Sequence, residues 1–363
     1  MKKILFAAQN FRIGGVQTSL INLLNVLSEK YKDEYEIDVF VFGDGELLSH
    51  IPENVNVIYG KRALRLAATP FYNVIKEGGI CDIVLRVILM LRVRVTGSEK
   101  FYKRLFEKQT PDKKYDVAIS YFNDVPGNYF NRGTNLFVTD YTDAESKVAW
   151  IHNDPEGIGF GREETLAAHR DFDRIICVSG AVKEKFDRMF PEYADRTEVV
   201  HNMFSQTLIR KRADEYDPFE KNGFDIVTVA RIDNRQKRIN GIVELCKRLK
   251  DDGVTSFKWR IVGSGPDLKR NVKLAEKYGV TDVLEFVGDK VNPYPYIKKS
   301  DLFALYSAYE GFPMVIGETL ALGTSIITTD YAAAKEQLGG TSAVIAKNDE
   351  DFYLKLKSMI DKK

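Results

Sequence analysis

The chain has 363 residues, of which 44% are apolar and 29% charged, and its formal net charge at pH 7 is +1. This composition excludes a disordered chain, and the length exceeds the roughly 250–300 residues at which a single core stops growing, so two domains are expected. The charge balance gives no general basis for binding nucleic acid. Cys81, Cys177 and Cys246 are odd in number and lack a CxxC pair, which argues against a disulfide framework or a zinc site and fits a reducing cytoplasm.

The N-terminal half alternates apolar strands with helical segments. "MKKILFAAQN" carries the two lysines of an export signal, but its apolar run stops at Gln9 and Asn10, so it predicts a first strand. "RIGGVQTS" then leads into the helix "LINLLNVLSEKY" and the strand "YEIDVFVFG", a βαβ unit. Later near-continuous apolar runs are typical of strands that are covered on both faces of a parallel sheet, and they read "YDVAISYF", "KVAWIH", "RIICVS" and "TEVVHN".

A second series of strands and helices begins near residue 224. Its predicted strands are "FDIVTVAR", "FKWRIVGSG", "VLEFVGD", "LFALYS" and "SIITTD". The pattern predicts an α/β chain of two doubly wound domains in tandem, residues 1–205 and 206–363, and the polar stretch 210–223 is the best linker candidate.

Residues 309–323, "YEGFPMVIGETLALG", place two carboxylates around an apolar run. The stretch predicts a helix with Pro313 in its first turn and Gly323 just past its end. Glu310 then lies in the turn that leaves a strand, where ligands bind in open α/β sheets, and unpaired helix amides favour a phosphate there. A carboxylate can accept both hydrogen bonds of a sugar diol. A capping role for Glu310 and a surface position for Glu318 stay open on spacing alone.

The string "SAYEGFPMVIGETLALGTSIITTD" closely resembles the EX7E segment of the retaining GT-B glycosyltransferases of family 4, the group 1 type. Other stretches resemble further segments of that family, namely "RIGGVQTSLINLL", "RIICVSGAVKEKF", "VVHNMFS", "VTVARIDNRQKRINGIVELCKRL" and "WRIVGSGPDLKR". The resemblance implies a GT-B architecture, in which two Rossmann-like domains face a cleft. The N-terminal domain would bind the acceptor and the C-terminal domain the nucleotide sugar.

The resemblance also implies roles for charged residues. Glu318 would hold the ribose hydroxyls of the donor, and Glu310 would bind hydroxyls of the transferred sugar. Arg231 and Lys237 would neutralise the diphosphate, on which negative charge grows as the glycosidic bond breaks. The family lysine often lies one residue nearer to the arginine than Lys237 does, so Arg235 or Arg238 could share this role.

Backbone groups and one histidine complete the implied site. The donor diphosphate would lie against the backbone around Gly311, Phe312, Met314 and Val315. Gly14 and Gly15 would let donor phosphates or the acceptor approach the N-terminal domain, with a plain strand-to-helix turn as the competing interpretation. His152 follows the strand "KVAWIH" and matches a histidine that many relatives keep at the cleft. Ser179 also matches a family position, although a helix N-cap explains it.

A metal site and a cofactor are not expected. "DFD" at residues 171–173 imitates a metal-binding DxD, but it precedes a strand instead of following one. We therefore expect metal-independent transfer with no metal ligands and no cofactor other than the donor substrate. A nicotinamide oxidoreductase would need a G-x-G-x-x-G that "RIGGVQTS" does not supply. A sugar-nucleotide epimerase of the same architecture and a catalytically silent nucleotide-sugar-binding subunit remain as alternatives.

The resemblance implies transfer of a hexose from a nucleoside-diphosphate sugar, which is most often a UDP-sugar in such relatives. The acceptor would be a saccharide or a polyprenyl-linked saccharide in the synthesis of a cell-surface polysaccharide. Residues 61–108 mix apolar runs with many cations. They are too interrupted to span a bilayer, but such a segment can lie on an anionic membrane surface. The expected location is cytoplasmic, and the membrane surface in question would be the inner face of the cell membrane. Ordinary helices with a solvated basic face are the alternative.

Overall fold

A computed structural model of the protein describes residues 1–107, 109–125, 130, 132–221 and 223–362. The chain divides into two compact units, Met1–Met203 and Phe204–Lys363. The division lies two residues before the expected domain boundary at 205/206.

The first unit is built around a parallel sheet. Its strands are β1 (Lys2–Ala8), β2 (Tyr35–Val41), β3 (Asn56–Tyr59), β4 (Lys114–Ser120), β5 (Asp143–Ile151), β6 (Arg174–Cys177) and β7 (Thr197–Val199). They are ordered β3-β2-β1-β4-β5-β6-β7, and Ile4 pairs with Val117 where β1 meets β4. The last five residues of β1 are buried, as expected for a central strand with both faces covered.

Helices connect these strands. They are α1 (Gly15–Lys30), α2 (Arg62–Ala68), α3 (Phe71–Glu77), α4 (Ile80–Thr96), α5 (Ser98–Phe106), α6 (Thr134–Asp140), α7 (Pro155–Ile158), α8 (Arg162–His169) and α9 (Gly180–Met189), with 3-10 helices at Glu46–His50 and Pro191–Tyr193. Four of them, α2 to α5, lie between β3 and β4, so the basic segment 61–108 is helical over most of its described length. Lys108 lies outside the described residues.

The second unit repeats the plan with a smaller sheet. Its strands are β8 (Phe224–Val229), β9 (Phe257–Val262), β10 (Leu284–Gly288), β11 (Leu302–Leu305), β12 (Ser325–Thr329) and β13 (Val344–Ala346). They are ordered β10-β9-β8-β11-β12-β13, all in parallel. Its helices are α10 (Gln206–Arg212), α11 (Ile239–Asp251), α12 (Leu268–Tyr278), α13 (Tyr294–Lys299), α14 (Met314–Leu322), α15 (Ala334–Leu338) and α16 (Asp349–Asp361).

Each sheet has one point at which the strand order reverses. In the second unit that point lies between β8 and β11, where Leu302 pairs with Ile226. Open α/β sheets bind ligands outside the carboxyl ends of the strands at this position. The loop after β8 carries Arg231 and Lys237, and the loop after β11 carries Glu310, so chain topology alone brings these residues to one edge of the sheet.

The predicted α/β class of two doubly wound domains is confirmed, and all the strands named from the sequence form. The linker expected at 210–223 is wrong in its first part, because residues up to Arg212 belong to α10 and pack against α14 within the second unit. Arg210 donates through Nε to the carbonyl of Ala321 at 2.9 Å, which fixes this segment to the unit instead of leaving it as a connector.

Candidate functional site

The two glutamates lie on either side of the start of α14. β11 is buried along its whole length, and the chain leaves it through Ser307 and Glu310 into the helix. α14 ends where Gly323 adopts φ 77°, the left-handed conformation that favours glycine as a helix stop. The predicted helix is thus confirmed, with Pro313 one residue before its first turn. Both acids are buried, Glu310 at 4% exposure and Glu318 at 6%, so the surface position that spacing alone left open for Glu318 is wrong.

Glu310 is held by side chains from two loops. The ammonium of Lys237 pairs with its Oε1, and the hydroxyl of Ser307 donates to the same oxygen at 2.6 Å. The amide Nε2 of Gln236 lies 3.3 Å from Oε2. A carboxylate at the end of a buried strand is thereby kept in one orientation by a cation and two neutral donors, as buried charges require.

Glu318 has a much less polar environment. Its Oε1 accepts a hydrogen bond of 3.2 Å from the hydroxyl of Tyr294. Burial raises the pKa of Glu318 to about 7, while the hydrogen bond from Tyr294 and the charge of Arg212 act in the opposite direction. A buried carboxyl group with a raised pKa can release its proton when the hydroxyl groups of a ligand donate hydrogen bonds to its oxygens.

The predicted cations occupy different environments. Lys237 lies on Glu310, as described, whereas the guanidinium of Arg231 is 62% exposed and pairs with Asp233 at 3.0 Å. Arg231 Nη2 is also 3.5 Å from Oε1 of Gln236. Gln236 therefore connects Arg231 to the carboxylate of Glu310, and the two predicted cations meet through a neutral amide.

Arg238, which could have shared the role of Lys237, points elsewhere. Its Nη2 bonds Asp349 at 2.6 Å, and its guanidinium carbon lies 4.2 Å from the centre of the Tyr306 ring. Its backbone has φ 49°, the only non-glycine residue with positive φ in the described chain. Arg238 is the N-cap of α11. Arg238 thus pairs with Asp349, whereas Lys237 pairs with Glu310, and the role of either in binding the diphosphate stays a prediction.

The N-terminus of α14 has no side-chain cap. Its N-cap, Pro313, provides no side-chain hydrogen bond to the helix, and the amides of Met314 and Val315 belong to its first turn. Gln337 donates to the carbonyl of Pro313 at 2.9 Å and fixes this turn. A helix start with its amides uncapped by a side chain favours an anion. Gly311 and Phe312 directly precede the N-cap.

Close packing explains one glycine of the EX7E segment. A Cβ on Gly317 would lie 2.5 Å from the ring of Phe204, so a larger residue would displace that ring. This contact lets α14 lie flat against the segment that precedes α10. Gly317 is thus required for close packing of α14 against Phe204.

In the first unit, Gly14 is the N-cap of α1 and Gly15 its first residue. Gly14 has extended backbone angles, so any residue could adopt them, but a Cβ there would approach Oε1 of Gln17 to 2.6 Å. A Cβ on Gly15 would meet no atom within 4 Å. The space beside Gly15 is therefore open, as a close approach of a ligand would need. Its role in binding stays a prediction.

His152 lies directly after β5 and is buried. Its Nε2 is 2.8 Å from the carbonyl oxygen of Tyr121, which can only accept, so Nε2 carries the proton. Its Nδ1 has no hydrogen-bond partner among the described residues. Burial lowers the pKa of His152 to about 3, with the carbonyl of Tyr121 acting in the opposite direction. The neutral ring therefore offers a hydrogen-bond acceptor and no proton.

Other sequence features have structural explanations. Ser179 caps α9 by accepting from the amide of Val182, which confirms the capping interpretation. In the DFD triplet, Asp173 accepts from the amide of Lys147 at 2.7 Å and Asp171 pairs with Arg170. Across the described ranges, no group of three or more His, Cys, Asp or Glu side chains is arranged to hold a metal ion.

Three residues of the site were not identified from the sequence. Gln236 and Ser307 bind Glu310, and Tyr294 binds Glu318. Gln236 could have been found, because it is the one neutral residue in the run "RQKR", and Ser307 because it follows β11 directly. Tyr294 lies 24 residues before Glu318 on another helix, and no local pattern links the two.

Comparison with known proteins finds a family model that matches part of the chain. The sequence model described as glycosyl transferases group 1 matches residues 210–363. This match covers less than half of the chain and lies within the second unit. A putative colanic acid biosynthesis glycosyltransferase of Salmonella typhimurium is 31% identical over 137 residues, which are 34% of this chain and 33% of that protein.

A second relative, from Campylobacter jejuni, is an N-acetylgalactosamine-N,N'-diacetylbacillosaminyl-diphospho-undecaprenol 4-alpha-N-acetylgalactosaminyltransferase. It is 28% identical over 193 residues, 52% of this chain and 51% of that protein. The alignments thus span between a third and a half of these two relatives. The crystal structure of Anabaena HepE with UDP-glucose has a TM-score of 0.67 at 18% identity and covers 100% of this chain and 89% of that one. This likeness shows the GT-B fold.

The matched range 210–363 contains Arg231, Lys237, Glu310 and Glu318, which are all the charged residues predicted to bind the donor. Gly14, Gly15 and His152 lie outside it. The match to the group 1 model and the contacts of Glu310 and Glu318 thus lie in the same unit.

Proposed function

We propose that the protein transfers a hexose from a nucleoside-diphosphate sugar to a saccharide acceptor in the synthesis of a cell-surface polysaccharide, with retention of the anomeric configuration and without a metal. The observation that carries the proposal is the arrangement of Glu310 and Glu318. One carboxylate is buried on a lysine and the other is buried against a tyrosine, on either side of a helix start that has no side-chain cap.

The chemistry of the site suits a sugar nucleotide. The amides of Met314 and Val315 and the exposed guanidinium of Arg231 supply positive charge for a diphosphate leaving group. An ammonium has three donors, of which Glu310 takes one, so Lys237 can also serve the diphosphate. Glu310 and Glu318 supply acceptors for sugar hydroxyls and ribose hydroxyls. Charge neutralisation by these groups takes the place that a metal holds in other transferases.

The relatives support a donor and an acceptor class. HepE was crystallised with UDP-glucose, which supports a UDP-sugar as the donor. The Campylobacter relative acts on a saccharide linked through a diphosphate to undecaprenol, and the Salmonella relative is assigned to colanic acid biosynthesis. A polyprenyl-linked saccharide is therefore the acceptor class that we propose. No cofactor besides the donor is proposed.

The first experiment is a thermal-shift screen of the purified protein against UDP-, GDP-, ADP- and dTDP-sugars. A ligand that binds only the folded state raises the unfolding temperature with occupancy. The donor so found is then incubated with protein in the presence and absence of a chelator. Release of free nucleoside diphosphate in both samples supports a metal-independent transferase. A strict need for Mn²⁺ or Mg²⁺ would overturn that part of the proposal.

Products distinguish the alternatives. A transferase releases nucleoside diphosphate, whereas an epimerase converts one nucleotide sugar into another and releases none. With a lipid-linked or free saccharide acceptor, NMR of the new anomeric proton reports the stereochemistry. An α-linked donor should give an α-linked product, and inversion would contradict the retaining assignment. A silent binding subunit would show the thermal shift without any product.

A further inference from the structure

The helix α4 exposes a continuous row of apolar side chains. The row consists of Ile80, Val84, Val87, Ile88, Leu91 and Val95, and we call it the α4 stripe. Successive members are three, four or one residue apart, which places them on one face of a helix with 3.6 residues per turn. The stripe spans ~22 Å from end to end at the helical rise of 1.5 Å per residue. Ile80 is 82% exposed and Val95 86%, so the two ends of the stripe are also uncovered.

The opposite face of α4 is packed in the protein. Arg86, Leu89 and Val93 are buried there, and the guanidinium carbon of Arg86 lies 3.8 Å from the centre of the Phe130 ring. Arg86 is one of the cations of 61–108 that the sequence counts toward a basic surface, and for this residue the expectation is wrong because it is buried. Burial lowers the pKa of Arg86, which is consistent with a packed position. The helix already has a buried face, so core packing does not explain the stripe.

Exposed cations flank the stripe on both sides. At about 100° per residue, Arg92 falls on one side of the row and Arg94 on the other. Neither has an ion-pair partner within the described residues, unlike Arg62, which pairs with Asp82 at 2.8 Å. Arg92 also lines a small recess between α4 and α5 together with Arg104 and Phe101. An apolar row between cations is complementary to an anionic membrane surface, in which acyl chains lie beneath a layer of negatively charged headgroups.

The helix cannot cross a bilayer. Its 17 residues include Asp82, Arg86, Arg92 and Arg94. Within the described ranges, none of the helices combines the length and apolar character that a membrane-spanning segment needs. A convex helix face of this kind can instead lie in the interface plane, with the apolar row toward the acyl chains and the arginines at the level of the lipid phosphates.

We propose that the α4 stripe, with Arg92 and Arg94, is the face through which the protein binds a membrane surface containing anionic phospholipids. The proposal adds a location to the proposed function and does not depend on it, because binding to lipid is measured without donor or acceptor. The same chemistry excludes a neutral bilayer as the preferred partner, since two unpaired guanidinium groups would then face uncharged headgroups.

The test is co-sedimentation of the full chain with vesicles of phosphatidylcholine alone and of equal parts phosphatidylcholine and phosphatidylglycerol. We expect binding to the anionic vesicles to exceed binding to the neutral ones by at least ~tenfold, and to weaken at high salt. Leu91→Glu and the double change Arg92→Glu with Arg94→Glu should each reduce binding to the anionic vesicles by ~tenfold or more. Both changes are at exposed positions, and unchanged thermal unfolding would show an intact fold.

Two matched controls come from the second unit. Leu354 on α16 is 55% exposed, against 57% for Leu91, so Leu354→Glu changes an equally exposed leucine. Arg270 and Lys273 are exposed cations on α12, and replacing both by Glu matches the charge change of the double variant. Equal losses in test and control variants would mean that only net charge matters, and would overturn the proposal.

Cys81 gives a positional readout. It is the exposed cysteine of the chain and lies in the first turn of α4, whereas Cys177 and Cys246 are buried. A polarity-sensitive maleimide dye on Cys81 should shift to the blue with anionic vesicles. An unchanged spectrum during binding would place the contact elsewhere. A dimer in sedimentation velocity that Leu91→Glu dissociates, with no vesicle binding, would assign the stripe to a second copy of the chain and refute the membrane assignment.

Discussion

Lys237 and Glu310 form an ion pair in which the lysine side chain is 15% exposed and the glutamate side chain 6%. The two residues are 73 positions apart and come from the loops after β8 and β11. Each charged group is therefore shielded from water and depends on the opposite charge of the other for its stability. The pair couples the geometry of the proposed donor site to the stability of the second unit.

Removing one partner of this pair should be costly. Lys237→Met leaves the carboxylate of Glu310 with neutral donors alone, and loss of one partner of a buried ion pair typically costs about 3–5 kcal/mol. The free energy of unfolding in urea measures it. The control is Lys247→Met, which breaks the exposed Lys247–Asp251 pair in the same unit, where the expected cost is about 0–1 kcal/mol. Equal costs for the two variants would contradict the burial argument.

Glu318 should make stability depend on pH. Its pKa is about 7 in the folded protein, against 4.5 as its ordinary value, because burial disfavours the charged form. A raised carboxyl pKa means that the folded state holds a proton that the unfolded state releases, so stability falls as the pH rises from about 4.5 to 7. The full effect is about 3 kcal/mol, and below pH 4.5 the group contributes nothing.

The neutral variant Glu318→Gln should remove this pH dependence. Relative to the original protein, its free energy of unfolding should increase between pH 5 and pH 8 by up to the same amount. Glu276 is an exposed acid on α12, and Glu276→Gln is the control for a general change in charge. A constant difference between Glu318→Gln and the original protein across this range would show that Glu318 is ionised throughout.

The fold could be predicted from the sequence where the strands are long and apolar, and less well at the sheet edges. β3 at Asn56–Tyr59 and β13 at Val344–Ala346 are edge strands of four and three residues that the sequence did not reveal, although β7, an edge strand of three residues, was predicted. A pattern this short does not reliably distinguish a strand from a loop. The loop positions of Arg231 and Glu310 follow from parallel topology. The contact of Tyr294 with Glu318 depends on the packing of α13 against α14, which no local pattern encodes.

Burial was the other property that the sequence could not supply. Arg86, Arg92 and Arg94 look equivalent in "LRVILMLRVRV", yet the first lies in the core and the others at the surface. Their angular positions on α4 separate them, but only once the buried face is known. Helical periodicity fixes the relative positions of residues and leaves open which face turns inward when both faces are apolar.

The two glutamates should separate nucleotide binding from turnover. If Glu318 holds ribose, Glu318→Ala should weaken binding of both UDP and UDP-sugar by roughly tenfold or more, as for loss of a hydrogen bond to a charged group. Glu310→Gln should retain UDP binding and lower turnover of the intact donor. Calorimetric titration with UDP and a coupled assay for UDP release measure the two effects. Equal UDP affinity in Glu318→Ala and the original protein would exclude the ribose assignment.

Arg231 should matter for transfer and little for folding. Its guanidinium is 62% exposed, so Arg231→Ala should leave thermal unfolding almost unchanged. Loss of one preorganised donor to a developing charge lowers the rate by roughly 10²–10³. The control is Arg238→Ala, which removes a guanidinium bound to Asp349 and Tyr306 and should lower stability more than it lowers the rate per folded molecule. Activity of Arg231→Ala within twofold of the original would mean that the diphosphate is held elsewhere.

His152 should act as a neutral hydrogen-bond acceptor. Because burial keeps its pKa at about 3, the ring carries no charge at any working pH, and the pH profile of transfer should contain no step that disappears in His152 variants. His152→Ala removes the acceptor at Nδ1 and should lower transfer by roughly 10- to 100-fold with UDP affinity unchanged. In His152→Asn, the amide oxygen can occupy a position near that of Nδ1, so this variant should restore most of the lost activity.

His169 is a second buried histidine and provides the control. Its Nδ1 is 2.9 Å from the carbonyl oxygen of Thr165, so His169→Asn should reduce stability and leave transfer per folded molecule intact. Equal kinetics for His152→Ala and the original protein would make His152 a structural residue. If the pH profile of the original protein had an acidic limb that is missing in His152→Ala, His152 would transfer a proton.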